Sequence, residues 1–183
     1  MILFINACVR TQSRTRRIAE RLLEKLGEQV VELKLSEVEF PVTTEEFLEK
    51  RDGCIAERNY ADSYFDLAKE FAEADMIVIA APYWDLSFPS VLKQYIEHIN
   101  VLGITFEYSP VGIPIGLCKA KKLYYIMTAG GTYVPEEYGF GYIKALAQNF
   151  YGIKDVELIK ATGLDIQGND PEEIIGKCIK SII

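Results

Sequence analysis

Met76-Ile77-Val78-Ile79-Ala80-Ala81 is the stretch that decides how the rest of the chain reads. Its six residues carry no charge and do not alternate apolar with polar. A strand with one wet face would alternate. A run apolar on both sides suits a parallel strand covered by helices above and below. Ile2 to Ala7 and Leu123 to Thr128 read the same way, and Val30 to Leu35 and Val156 to Ala161 supply two more strands. Helical patterns fall between them. Ser13 to Gly27 puts Ile18, Leu22, Leu23 and Leu26 on one face, with Gly27 as a stop. Tyr64 to Ala74, Ser90 to Leu102 (Val91, Tyr95, Ile99 and Leu102 in register) and Glu136 to Tyr151 follow. Asp170-Pro171-Glu172-Glu173 opens the last helix, with Asp as N-cap and Pro at the first position. Residues 36–60 read as a long polar connection with one short helix starting near Thr43, and Thr105 to Tyr108 as a small hairpin. Five strands alternating with helices predict one α/β domain over residues 1–183. Its parallel sheet is doubly wound, in the order 2-1-3-4-5, with helices on both faces.

The composition agrees. The 183 residues are 49% hydrophobic and 26% charged, with a net charge of −7, so no broad basic patch awaits nucleic acid. The longest apolar runs are too short to cross a membrane, and because the first residues read directly as a strand, no secretion signal is expected. Cys8, Cys54, Cys118 and Cys178 form no C-x-x-C pair. With a single histidine, metal or cluster ligation is not expected, and a cytoplasmic setting is.

In this strand order a ligand sits at the carboxyl ends of strands 1, 3 and 4. Three stretches should therefore meet. Cys8 to Thr15 offers Arg10, Ser13, Arg14 and Thr15 at a helix N-terminus, where hydroxyls and free N–H groups make an anion site. Arg14, Arg16 and Arg17 crowd the positive end of the helix dipole, at a cost of about 0.3–1 kcal/mol each that an anion would relieve. Pro82-Tyr83-Trp84-Asp85-Leu86-Ser87-Phe88-Pro89 holds the only tryptophan and offers ring faces to a planar ligand. Thr128-Ala129-Gly130-Gly131-Thr132-Tyr133 contains two glycines that permit close backbone approach and unusual dihedrals. A phosphate cradle, an aromatic platform and a donor-rich turn describe a flavin mononucleotide (FMN) site. No strand leads into G-x-G-x-x-G, so a dinucleotide cradle is not expected. His98 reads as structural or solvated, Cys8 as a small core residue, and Asp165 and Asp170 as turn and cap residues.

These residues resemble a known family. R-x-x-S-x-T (Arg10 to Thr15), P-x-[aromatic]-x-x-x-x-P-S-x-L-K (Pro82 to Lys93), G-[IV]-T-F-x-Y (Gly103 to Tyr108), G-L-x-K-x-K-K (Gly116 to Lys122) and T-x-G-G (Thr128 to Gly131) are similar to the FMN-dependent NAD(P)H:quinone oxidoreductases and azoreductases. The resemblance implies a flavodoxin-like homodimer that passes electrons from NADH or NADPH to a small acceptor by ping-pong hydride transfer. It implies that Arg10, Ser13, Arg14 and Thr15 hold the phosphate. Pro82, Tyr83, Trp84, Asp85 and Leu86 would line the ring, and Thr128, Ala129, Gly130, Gly131 and Tyr133 would meet its pyrimidine edge. Phe106 and Tyr108 would reach the substrate, with Tyr108 or water as the proton source. Two positions depart: Cys8-Val9 stands where many members have Ser-Pro, and Asp85 where many have Asn. A flavodoxin-type electron carrier is the alternative, and a flavin-binding regulatory protein a second.

Overall fold

The computed structural model describes residues 1–182. Five parallel strands form one sheet: β1 (Ile2–Asn6), β2 (Val30–Lys34), β3 (Met76–Ala80), β6 (Lys122–Thr128) and β7 (Asp155–Ala161), in the order β2-β1-β3-β6-β7. Counted among the sheet strands alone, this is the expected 2-1-3-4-5. The numbers β4 (Phe106–Tyr108) and β5 (Pro114–Gly116) belong to a separate antiparallel hairpin between β3 and β6. Pairing is in step across the centre, with Ile2 beside Met76 and Met76 beside Lys122.

Alternation along each strand divides the core in two. Leu3, Ile5, Ile77, Ile79, Leu123, Tyr125 and Met127 face α3 (Asp66–Glu73), α4 (Ser90–Ile99) and α5 (Phe140–Leu146). Ile2, Phe4, Val78, Ala80 and Ile126 face α1 (Arg14–Leu26) and α6 (Pro171–Ile182). This explains why β3 has no polar residue and β1 only Asn6 at its end, whereas edge strand β2 alternates and stays partly exposed. A 3₁₀ turn precedes α3, and α2 (Glu45–Ala56), capped by Thr44, fills the long connection after β2.

Three boundaries differ from the sequence reading. α4 stops at Ile99 and buries Leu92, Tyr95, Ile96 and Ile99; Leu102 lies beyond it and is exposed. Thr105 ends that helix by drawing the chain into a turn, its hydroxyl donating to Ile99 O at 2.7 Å. α5 starts at Phe140, not Glu136, because Pro135 to Gly139 form a turn in which Gly141 N–H donates to Glu136 O at 2.6 Å. Its last turn, Ala147–Tyr151, widens to π geometry and ends at Gly152, φ 78°. No described helix is long and apolar enough to cross a membrane.

Candidate active site

The carboxyl ends of β1, β3 and β6 open into a cleft of about 850 Å³. Its first wall begins with Asn6, buried at the end of β1. Asn6 donates to Glu32 Oε1 at 2.8 Å and accepts from Cys8 N–H at 2.9 Å, which fixes the course of the chain into the loop. Ser13 then caps α1, its Oγ accepting from Arg16 N–H at 3.2 Å. Among the described residues, the N–H groups of residues 9–15 and 130–133 find no acceptor within the chain. Such unspent donors at a helix N-terminus suit an anion.

Thr15 joins two walls. Its buried hydroxyl lies 2.7 Å from that of Thr128. Two hydroxyls carry two hydrogens, and the bond between them uses one, so a second remains to donate.

The second wall is Pro82, Tyr83 and Trp84. Tyr83 is fastened at both ends: its N–H donates to Thr128 O at 3.0 Å and its hydroxyl to Pro135 O at 3.2 Å. Trp84 and Ser87 exchange both backbone hydrogen bonds, closing a tight turn with Asp85 at φ 50° and Leu86 at φ 68°. Asp tolerates that region through its short polar side chain, whereas Leu there costs about 1–3 kcal/mol. Strain of this kind persists where a neighbouring function uses the shape. Trp84 remains 40% exposed, with ring surface available to a ligand.

The third wall is Thr128, Ala129 and Gly130. Neither glycine of the pair has positive φ, so the expected unusual dihedrals are not there. Gly130 has a different reason: a Cβ on it would lie 2.4 Å from Asp165 Oδ2. At Gly131 a Cβ would meet nothing within 4 Å.

The cleft thus brings together Arg10, Ser13, Arg14, Thr15, Pro82, Tyr83, Trp84, Thr128, Ala129 and Gly130. Asp85, Leu86, Gly131 and Tyr133 lie outside its lining, on adjoining turns. Phe106 and Tyr108 are on the hairpin, outside it too. Phe106 is buried edge-on against Phe150 at 5.0 Å, and Tyr108 is half exposed. His98, buried beside Phe40, donates from Nδ1 to Gln94 O at 2.9 Å and takes no part in the lining. Burial raises the pKa of the Cys8 thiol, keeping it neutral.

The arginine argument needs correcting. Arg14 pairs with Asp165 at 2.8 Å, Arg16 with Glu20 at 2.8 Å, and Arg17 with both oxygens of Glu172 at 2.7 and 2.8 Å. The chain's own carboxylates already offset the charge at the helix start. Arg10 alone of the four lining arginines has no carboxylate partner among the described residues. Asp170 caps α6, accepting from Glu172 N–H at 2.9 Å, but Asp165 is more than a turn residue, since it lines the cleft. The doubly wound order carried that signal: β7 neighbours β6, so the turn after one must approach the turn after the other.

The donor set fits a phosphate monoester joined to a planar, heteroatom-edged ring: free N–H groups and hydroxyls first, then aromatic faces, then a second run of free N–H groups. No cluster of His, Cys, Asp or Glu among the described residues could hold a metal ion.

Comparison with known proteins agrees with this architecture. A profile described as Flavodoxin-like fold matches residues 1–182, and the chain belongs to that family. Within it, the chain is 35% identical over 191 residues to an FMN-dependent NADH:quinone oxidoreductase of Clostridium perfringens (strain ATCC 13124), covering 100% of this chain and 96% of the relative. It is 36% identical to FMN-dependent NADH:quinone oxidoreductase 2 of Clostridium acetobutylicum (strain ATCC 824), covering 98% and 94%. Among solved structures, an azoreductase from Bacillus anthracis str. Sterne superposes with TM-score 0.85 at 26% identity, over 99% of this chain and 95% of that one. An FMN-dependent NADH-azoreductase from Bacillus anthracis str. Ames Ancestor, in complex with FMN, gives 0.82 at 25%, over 99% and 94%. The family resemblance read from the sequence motifs is met.

Proposed function

We propose that this protein is an FMN-dependent oxidoreductase that carries two electrons from NADH to a quinone, an azo compound or a similar small acceptor. The observation that carries the reading is the convergence of the unspent N–H groups of residues 9–15, that of Gly130 and the Tyr83–Trp84 surface on one cleft. Bound there, FMN supplies the hydride chemistry, accepting from the nicotinamide and giving to the acceptor. The chain's residues bind and orient it. Ser13, Thr15 and the α1 N-terminus take the phosphate, with Arg10 as the unpaired cation. Tyr83 and Trp84 fix the ring against the turn at Asp85 and Leu86. The N–H of Gly130, at the cleft, and that of Gly131, on the turn beside it, would stabilise negative charge on the ring's edge. NADPH is the second candidate donor.

The wall opposite the ring is assigned to a second copy. Tyr108, Val111, Ile113, Ile115 and Leu117 expose apolar surface on and around the hairpin. A twofold homodimer would cover that surface and enclose the flavin, bringing Tyr108 to the acceptor. The four free cysteines fit a reducing, cytoplasmic environment. Flavin released by heat should chromatograph as FMN, and the holoprotein should oxidise NADH steadily when a benzoquinone is present. Recovery of FAD, or flavin reduction without turnover on adding the quinone, would reject the reading. The latter result favours the electron carrier.

A further inference from the structure

Asp165 is distinguished by what it joins. Its carboxylate accepts from Arg14 Nη1 at 2.8 Å, across 151 positions of sequence. Its N–H donates to Gly130 O at 3.0 Å, next to two parallel contacts, Leu164 N–H to Ala129 O at 3.2 Å and Gly163 N–H to Gly131 O at 2.8 Å. The carboxylate occupies the space a side chain at position 130 would need. Arg14 and Asp165 both line the cleft. The backbone contacts fix Asp165 to the third wall, and the ion pair runs from there to the first residue of α1, so the two walls are bridged along the cleft surface.

We infer that Asp165 is a cofactor-positioning residue: its bridge to Arg14 straps the phosphate wall to the 129–131 turn and slows the release of FMN. The inference rests on the function proposed above. It also runs against simple charge counting. Asp165 places a negative charge in a cleft meant for a phosphate, so by charge alone its removal should tighten FMN binding. A strap predicts the reverse. Its strength is that of an exposed pair, with Arg14 39% and Asp165 66% exposed at the side chain. An exposed ion pair of this kind changes a rate by about two- to fivefold.

Asp165→Asn removes the charge and leaves the three backbone contacts in place, so the turn keeps its shape. The measurement is the rate at which FMN leaves diluted holoprotein, followed by flavin absorbance across an ultrafiltration membrane. Asp165→Asn should release FMN about two- to fivefold faster than wild type. In an Arg14→Gln background it should add nothing, because the bridge is already broken. Glu24→Gln, which breaks the exposed Arg21–Glu24 pair farther along α1, should match wild type. Unchanged or slower release from Asp165→Asn overturns the strap, as does an effect of full size when Arg14 is absent. Wild-type protein that takes up no FMN overturns the strap and the proposed function together; FMN uptake with no effect of Asp165 overturns the strap alone.

Discussion

Thr15 serves two purposes with one hydroxyl. It bonds Thr128 in the core of the cleft wall, and the pair keeps one hydrogen for a ligand. Thr15→Val preserves shape and removes both. It strands the Thr128 hydroxyl, which should lower folding stability by about 1 kcal/mol, read as a fall in the urea midpoint. It would also remove the charge-assisted bond to phosphate proposed above. Apoprotein titrated with FMN should bind about 1.5–3 kcal/mol more weakly, about ten- to a hundredfold in affinity. Equal affinity would place the phosphate elsewhere. Ser13 and Thr15 were legible in the sequence because helix N-termini follow local rules. The partners of the arginines were not. Asp165 and Glu172 lie some 150 residues from Arg14 and Arg17, and a dipole argument confined to one helix counts none of their charge.

The elements were legible wherever burial alone decides them. β1, β3 and β6 are covered on both faces, so their composition leaves little choice. Ends set by contacts between elements were harder to read. Leu102 keeps the α4 spacing, yet Thr105 takes the carbonyl of Ile99, the helix's last residue, and turns the chain away. The hairpin was visible as a Gly- and Pro-rich stretch, but not what holds it. At Gly116 a Cβ would lie 2.1 Å from the backbone of both Tyr151 and Gly152. β5 thus rests directly on the end of the π turn, backbone to backbone, and no rotamer change can make room. Gly116→Ala should therefore lower stability by about 1–3 kcal/mol in urea titration, the usual range for overpacking. Gly131→Ala, which meets open space, should leave the apoprotein's midpoint unchanged. Equal midpoints for Gly116→Ala and wild type would show that the hairpin seat is loose.

The chain as a whole leaves its apolar surface unevenly exposed. Val111 is 79% exposed and Ile113 61%, at the hairpin tip, while the central strands β1 and β3 are covered on both faces. Burying them against a second copy is the use that the proposed dimer makes of this surface. Val111→Glu with Ile113→Glu should convert a dimer to a monomer in light scattering, and quinone turnover should fall more than FMN retention. A wild-type monomer with full activity would refute that assembly. The strand order was legible because strictly alternating elements and right-handed crossovers leave few topologies. It also named three of the cleft's contributing loops. The fourth, Gly163 to Asp165, carries no motif of its own and becomes significant only beside Gly130.

That fourth loop bears on how the protein is made. Synthesis proceeds from the N-terminus, and domains fold as their parts emerge. By Thr128 a nascent chain holds the four strands β2, β1, β3 and β6, the capped phosphate loop and the aromatic turn. Thr15 and Tyr83 already bond Thr128 in such a chain, yet the residues that tie the third wall to Arg14 and Arg17, from Gly163 to Glu172, come only after β7. A chain made only as far as β6 can therefore carry most of the binding groups while still lacking the Arg14–Asp165 bridge, and the proposed strap on the cofactor forms only once the turn after β7 has emerged.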